Sequence, residues 1–217
     1  MPKLVIWDFN GCLVNDGASF YKHGPCAIFP RYGLPVPPAE DYYRNITSDF
    51  VRYYHDRGVP SCGDRIRDAE TLNAIMKEGM SAAPVPPLFP EAEDVLASLR
   101  EESAAQVLVS ALEEREFRRQ LGHHGLEKRF HETRGGVRGK APVFRKLIEA
   151  YRAHGRAFGI TDTLGDAREL AEAGARPIVV PREYAVTDIG DIPGLQVAAD
   201  LREALALTRA AAPASMH

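Results

Sequence analysis

The stretch that decides the fold lies near the start of the chain and reads Leu4-Val5-Ile6-Trp7-Asp8-Phe9-Asn10-Gly11-Cys12-Leu13. A short apolar run that ends at turn residues is typical of a buried strand in a parallel sheet. Directly after this run comes the carboxylate of Asp8. Because ligands of open α/β sheets bind beyond the carboxyl ends of the strands, we expect Asp8 to lie where the chemistry takes place. Position 10 is an amide, Asn10, where a second carboxylate would complete a more familiar acid–base pair.

The composition is that of an ordinary globular protein, with 217 residues, 45% of them hydrophobic and 26% charged. A formal net charge of −3 gives no reason to expect nucleic acid or a membrane as a partner. No apolar stretch approaches the ~20 residues that a membrane span needs, and we expect no signal peptide ahead of the first strand. The cysteines, Cys12, Cys26 and Cys62, lack metal-ligand spacing, which predicts free thiols in a cytoplasmic protein.

From residue 88 onward, apolar runs alternate with helical patterns, which predicts a doubly wound parallel sheet. After the first strand, further strands are predicted at 106–110, 157–161, 177–180 and 196–198. Helices are predicted at 90–100, 113–121, 142–154 and 167–173, and a closing helix from 201. The fold class predicted here is therefore α/β, with a Rossmann-like core.

Residues 15–87 have a different character, since they are rich in aromatic side chains and show little strand alternation. Helices are predicted at 18–31, 38–57 and 64–80, and the proline-rich segment 83–87 resembles a stiff linker. We therefore predict a catalytic core made of 1–14 and 88–217, with a small all-helical cap, 15–87, inserted after the first strand.

Polar residues follow several of the predicted strands in chain order. Ser110 ends the second strand, Lys140 precedes a helix, and Asp162 and Asp166 follow the strand at 157–161. In a doubly wound sheet these side chains converge with Asp8 at the carboxyl edge. Carboxylate oxygens suit Mg²⁺, a carboxylate can act as a nucleophile, and serine and lysine can bind phosphoryl oxygens. The pattern predicts a site for Mg²⁺ and a phosphorylated small molecule.

The order and spacing of these segments resemble the four motifs of the haloacid dehalogenase-like hydrolase superfamily, and the resemblance spans nearly the whole chain. Asp8-Phe9-Asn10-Gly11-Cys12-Leu13 is similar to the first motif, and Ser110, Lys140 and 162–166 are similar to the other three. The resemblance implies Asp8 as the nucleophile, and Asp166 as a residue that orients the metal shell. It implies catalytic residues Asp8, Asn10 and Lys140; phosphate-binding residues Ser110, Ala111, Gly11 and Lys140; and Mg²⁺ at Asp8, Asn10, Asp162 and Asp166.

Asn10 departs from the family pattern, because the phosphatases of the family carry an aspartate there that protonates the leaving group and then activates water. Its main-chain oxygen can still contact the metal, but an amide exchanges no proton at neutral pH. General acid–base catalysis is worth about 10²–10⁴-fold in rate. We therefore predict a Mg²⁺-dependent phosphatase that favours good leaving groups, unless the substrate or a cap residue such as His23 or His55 supplies the proton.

Two other functions fit the same residues. Asp8 could attack carbon, as in dehalogenation, or the protein could bind a phosphorylated metabolite without turning it over. Strict Mg²⁺ dependence would argue against the first, and tight binding without phosphate release would support the second. We expect a small-molecule substrate, no nucleic acid or membrane partner, and a monomer or homodimer.

Overall fold

The computed structural model describes residues 3–46, 50–81, 83–182 and 191–210. These residues form two compact units. The core unit contains 3–15, 87–182 and 191–210, and the helical unit contains 16–46, 50–81 and 83–86. None of the described helices combines the length and the apolar character that crossing a membrane requires.

The core unit is built on one sheet whose strands all run parallel, in the order β3-β2-β1-β4-β5-β6. This is the Rossmann-like arrangement, so the predicted fold class is confirmed. The first strand has neighbours on both sides, where Trp7 pairs with Leu108 and with Ile160. The strands are β1 Leu4–Trp7, β2 Ala105–Val109, β3 Glu132–Arg134, β4 Ala157–Thr161, β5 Arg176–Val179 and β6 Gln196–Val197.

Helices connect the strands of the core unit and account for all regular secondary structure described in the helical unit. In chain order they are α1 Gly17–His23, α2 Pro25–Arg31, α3 Ala39–Asn45, α4 Phe50–His55, α5 Arg65–Ser81, α6 Ala92–Glu101, α7 Glu114–His123, α8 Ala141–Ala150, α9 Leu164–Glu172 and α10 Leu201–Ala210.

Several predicted elements have different bounds in the structure. The helix predicted at 18–31 is divided into α1 and α2, because Pro25 starts a new helix after Gly24. The helix predicted at 38–57 is interrupted at Ile46, which has an extended backbone, and residues 47–49 lie outside the description. The helix predicted at 142–154 ends at Ala150, and Arg152 then adopts a φ of 50°. Strand β3 was not predicted.

Apolar side chains cover both faces of the sheet, as a parallel sheet between two helix layers requires. Along β1 they alternate, with Val5 and Trp7 packing on one side and Leu4 and Ile6 on the other. The first side is covered by α6, α7 and α10, and the second by α8 and α9. A strand buried on both faces fixes its own end tightly, and that end carries Asp8.

Aromatic side chains form the centre of the helical unit. Phe29, Tyr42, Tyr53 and Tyr54 are buried there and contact one another through edge and tilted ring packing. The carboxylate of Asp41 accepts hydrogen bonds from the Tyr53 hydroxyl and from the Arg57 guanidinium, at 3.0 and 2.9 Å. The aromatic residues that distinguish this segment in the sequence therefore serve as a core of their own.

Candidate active site

Asp8 lies immediately beyond β1 and its side chain is 12% exposed. Its backbone N–H donates to the Ile160 carbonyl at 2.9 Å, which extends the pairing of β1 with β4 to this residue. Its carboxylate Oδ1 accepts from the Phe9 N–H at 2.8 Å, and Thr161 Oγ1 lies 3.5 Å from Oδ2. The sheet therefore fixes both the backbone and the side chain of the predicted nucleophile.

Lys140 brings a buried ammonium group to Asp8. It is the N-cap residue of α8, and its side chain is 6% exposed. Nζ donates to Asp8 Oδ1 at 2.9 Å and to Asp166 Oδ2 at 2.5 Å. Burial alone would lower the pKa of Lys140, but the charges of Asp8 and Asp166 outweigh it and raise that pKa above its ordinary value. Lys140 therefore stays charged and links the two carboxylates.

Asp166 reaches this cluster from the first turn of α9. The helix begins at Leu164 because the Thr163 hydroxyl caps it, accepting from the Asp166 N–H at 3.3 Å. The sequence prediction started this helix at 167, three residues too late. Burial and the charge of Asp8 raise the pKa of Asp166 to about 7, against the opposing effect of Lys140. The site therefore concentrates more negative than positive charge.

Gly11 allows the loop after β1 to pass close to Asp162, in the segment 162–166 that resembles the fourth motif. Its φ is +71°, and a Cβ atom built on it would lie 2.1 Å from Asp162 Oδ2. A side chain at position 11 is thus excluded both by backbone strain and by the Asp162 carboxylate. Asp162 is itself buried, directly after β4. The loop backbone and this carboxylate form one close-packed wall of the site.

The side chain of Asn10 is oriented by Ser110. Ser110 Oγ, at the end of β2, donates to Asn10 Oδ1 at 3.3 Å and accepts from the Leu112 N–H at 3.0 Å. The Ser110 carbonyl accepts from the Val137 N–H at 2.9 Å, which joins this end of β2 to the loop before Lys140. Ala111 is exposed beside Ser110. The structure thus brings Asn10 and Ser110 together, as the motif order predicts.

Comparison with known proteins identifies the fold, although no family model and no curated protein matches this sequence. A predicted phosphatase from Clostridium acetobutylicum is similar in structure, with a TM-score of 0.77 at 15% identity over 95% of this chain and 98% of that one. A haloacid dehalogenase-like family hydrolase from Streptococcus pneumoniae has a TM-score of 0.71 at 18% identity, with the same coverage. The fold is that of the haloacid dehalogenase-like hydrolases. Protein Tyrosine Kinase A of Mycobacterium tuberculosis shares it, with a TM-score of 0.71 at 22% identity over 95% and 98% of the two chains.

The residues present in this haloacid dehalogenase-like fold fit a small hard cation. No three His, Cys, Asp or Glu side chains within the described ranges are grouped so that they could hold a metal by themselves. Mg²⁺ does not need such a group, because it keeps several waters and binds through one or two carboxylates. The buried Asp162 carboxylate, which the Gly11 backbone approaches, and the Asp8 carboxylate, whose side chain is 12% exposed, provide oxygen donors of that kind. Asp166 pairs with Lys140, as Asp8 does, and its place in the metal shell stays a prediction.

Two residues that support this site are absent from the sequence prediction. Thr161, the last residue of β4, contacts Asp8 and also accepts from the Thr163 N–H at 3.2 Å. Glu169 accepts from the Ala141 N–H at 2.6 Å and so ties the start of α8 to α9. The position of Thr161 at the end of a predicted strand, directly before Asp162, could have indicated its role. Nothing in the sequence pattern singles out Glu169.

Cys12 lies in the loop after β1, and its thiol donates to the Ile160 carbonyl at 3.5 Å. Burial raises the pKa of Cys12, and Asp8 and Asp162 raise it further, so this thiol stays neutral and is a poor nucleophile. Within the helical unit, His55 pairs with Asp68 at 3.3 Å, and His23 packs against Gly79. A proton-donor role for either histidine stays a prediction.

Replacing Lys140 by methionine should lower the free energy of unfolding by about 3 kcal/mol at pH 8, because Asp8 and Asp166 would lose their buried counter-charge. Without Lys140, which lowers it, the pKa of Asp166 would rise further, so this carboxyl group would take up a proton in the folded state. Stability carried by the protonated form decreases as the pH rises, so the loss should be smaller at pH 5 than at pH 8. Urea unfolding at both pH values measures the free energy of unfolding.

The matched control is K146M, which replaces an exposed lysine of α8 and should change the free energy of unfolding little. Equal losses of stability by K140M at pH 5 and pH 8 would contradict the argument.

Proposed function

We propose that this protein is a Mg²⁺-dependent hydrolase of a small phosphorylated metabolite that works through a phosphorylated Asp8. The observation that carries the proposal is the position of the Asp8 carboxylate, fixed at the end of the central strand and hydrogen-bonded to the buried Lys140, which also binds Asp166. A carboxylate nucleophile beside a permanently charged ammonium suits attack on a phosphoryl group. The similarity in fold to a predicted phosphatase agrees with this reaction class.

In the first step, Asp8 attacks phosphorus as the bond from phosphorus to the leaving oxygen breaks. Lys140 holds the Asp8 carboxylate in place, because its Nζ donates to Oδ1. Ser110, at the neighbouring strand end, would turn its hydroxyl from Asn10 Oδ1 to a phosphoryl oxygen. In the second step, water attacks the acyl phosphate and releases inorganic phosphate, which regenerates the Asp8 carboxylate.

Asp8, Asp162 and the main-chain carbonyl of Asn10 would hold Mg²⁺. When bound, the cation would neutralise charge on the phosphoryl oxygens and so offset their repulsion by the carboxylates of the site. Burial and the charge of Asp8 raise the pKa of Asp166, and a cation bound beside these carboxylates would offset their negative charge.

Asn10 sets the preference for the leaving group. Its amide cannot give a proton to the departing oxygen, and Ser110, which donates to Asn10 Oδ1, is a weak acid with an ordinary hydroxyl. A leaving group that departs as a stable anion needs no proton, whereas a simple alkoxide does. The proposed substrates therefore have good leaving groups, such as acyl or aryl phosphates, or carry their own proton donor.

The helical unit is proposed to act as a cap that selects the substrate and excludes bulk water during the reaction. Its boundaries in the chain, between 15 and 16 and between 86 and 87, enclose a segment inserted between β1 and the rest of the core. We further propose that the protein acts in the cytoplasm as a monomer or homodimer.

The test is inorganic phosphate release from a graded series of acyl, aryl and alkyl phosphates, with Mg²⁺ and with EDTA. We expect release that requires Mg²⁺ and falls steeply from aryl to alkyl phosphates. Release in EDTA at the same rate would contradict the proposed cofactor. No release from any member, together with binding of a phosphorylated ligand, would replace the proposed function with a non-catalytic binding function.

A further inference from the structure

Arg182 makes three contacts with segments far from it in the chain. Nη2 donates to the main-chain carbonyl of Cys12 at 3.1 Å, and Nη1 donates to Glu91 Oε1 at 3.1 Å. The guanidinium carbon lies 3.5 Å from the centroid of the Phe89 ring. All of these residues belong to the core unit. One planar group thus joins the loop after β1, the segment that returns to the core, and the chain beyond β5.

The Arg182–Glu91 pair is largely shielded from solvent, unlike most ion pairs within the part of the chain that the structure describes. The two side chains are 11% and 9% exposed, whereas Arg209, which pairs with Glu102 elsewhere in the core unit, is 51% exposed. A buried arginine with a carboxylate, a carbonyl and an aromatic face around it is held in one orientation. Such a group can act as a rigid support for the backbone that it binds.

The backbone that Arg182 binds is the loop that carries Asn10. Within this loop the Gly11 N–H donates to the Val14 carbonyl at 3.0 Å, and the Leu13 N–H donates to the Phe9 carbonyl at 2.9 Å. These short-range hydrogen bonds shape the turn but do not attach it to the core. The Cys12 carbonyl points out of this pattern and is bound by Arg182.

Phe89 and Glu91 lie on the chain segment that returns from the helical unit, so Arg182 also holds the outgoing and returning segments together. The Leu13 carbonyl accepts from the Phe89 N–H at 2.9 Å, and the Asn15 N–H donates to the Pro87 carbonyl at 2.8 Å. Arg182 adds a side-chain contact to each of the two segments beside this short backbone pairing. We call this arrangement of Arg182, Glu91, Phe89 and the Cys12 carbonyl the arginine clasp.

We propose that Arg182 is a positioning residue for the reaction: through the arginine clasp it fixes the loop 9–14 and, with it, the Asn10 backbone at the site. It touches neither Asp8 nor Lys140 in the described contacts, so it acts through the loop rather than on the substrate. The consequence for catalysis rests on the proposed function, but the consequence for the loop does not. Small displacements of reacting groups are costly, at up to about 100-fold in rate per ångström.

The experiment compares three variants with the wild-type protein. The single change R182M would leave Glu91 buried without its partner, so the main variant is R182M combined with E91Q. E91Q alone keeps the Arg182 contact with the Cys12 carbonyl and tests the ion pair by itself. R209M, which breaks an ion pair elsewhere in the core unit, is the matched control.

Hydrogen–deuterium exchange of residues 9–14 is the first measurement. In the double variant we expect exchange of these amides to become about 10-fold faster or more, while exchange in β2 and α7 stays as in the wild type. E91Q and R209M should leave the loop exchange within about 2-fold of wild type. Unchanged loop exchange in the double variant, or equally faster exchange throughout the core unit, would overturn the proposal.

Steady-state kinetics with an aryl phosphate is the second measurement. We expect kcat of the double variant to fall between about 10- and 100-fold with KM within about 3-fold of wild type, since orientation and not binding is lost. A wild-type kcat with a loosened loop would overturn the catalytic half of the proposal. If the wild-type protein itself releases no phosphate, the proposed function fails, while the exchange experiment still decides the role of Arg182 in the loop.

Discussion

Replacing Asp8 by asparagine should lower the rate of phosphate release by about 10⁴-fold or more, because the amide cannot form the acyl phosphate. The substitution removes the attacking oxygen and little else. Its amide oxygen can still accept from the Phe9 N–H and from Lys140, the two donors that now reach Oδ1. We therefore expect KM to change little and the free energy of unfolding to stay within about 1.5 kcal/mol of wild type.

Phosphate release from an aryl phosphate measures this loss, and mass spectrometry of the acid-quenched protein checks for the phosphorylated intermediate. The wild-type protein should gain the mass of one phosphoryl group and D8N should not. The matched control is D94N, which removes an exposed carboxylate of α6 that is 3.8 Å from Arg202. Substantial turnover by D8N would contradict a role for Asp8 as nucleophile and would point to direct attack by water.

Replacing Asn10 by aspartate should raise the rate with alkyl phosphates by about 10²- to 10³-fold, since it introduces the missing acid–base group. A carboxyl group has the same shape as the amide at position 10. The Ser110 hydroxyl that donates to Asn10 Oδ1 can donate equally to a carboxylate oxygen. With aryl phosphates the first step needs no proton, so the gain should be smaller. The slope of rate against leaving-group pKa should become shallower.

The measurement is kcat/KM for the same series of phosphates in wild type and N10D. A useful control is N73D, which places the same change on an exposed position of α5 in the helical unit. A uniform rate change across the series, or no change for alkyl phosphates, would contradict the interpretation that Asn10 sets the leaving-group preference. Either result would favour a proton donor from the substrate or from the cap.

Much of the fold could be predicted because its elements are coded locally. The apolar run at 4–7 is buried on both faces, and the alternation of strands and helices after residue 88 admits few arrangements other than a parallel sheet. Strand β3, by contrast, was missed because its three half-buried polar residues, Glu132–Arg134, carry no apolar signal. It forms by pairing with β2 at the edge of the sheet, so its formation depends on the tertiary structure.

Helix bounds show the same division between local and distant causes. The break between α1 and α2 could be predicted from Pro25, and the start of α9 could be predicted from the capping hydroxyl of Thr163. The end of α8 at Ala150 could not be predicted from the sequence, since the apolar spacing continues to Tyr151. There the chain turns through Arg152 at positive φ so that Ala153 can be buried in the core.

The sequence by itself determined which residue types meet at the site: Asp8, Ser110, Lys140 and Asp162 each follow or precede an element whose pattern is local. Only the tertiary structure decided which of them pair. Lys140 bridges Asp8 and Asp166, Ser110 binds Asn10, and Arg182 holds the Cys12 carbonyl, over sequence separations from 26 to 170 residues. Residue spacing specifies the strand end on which a side chain lies, whereas distances between charges depend on how the strands and helices pack.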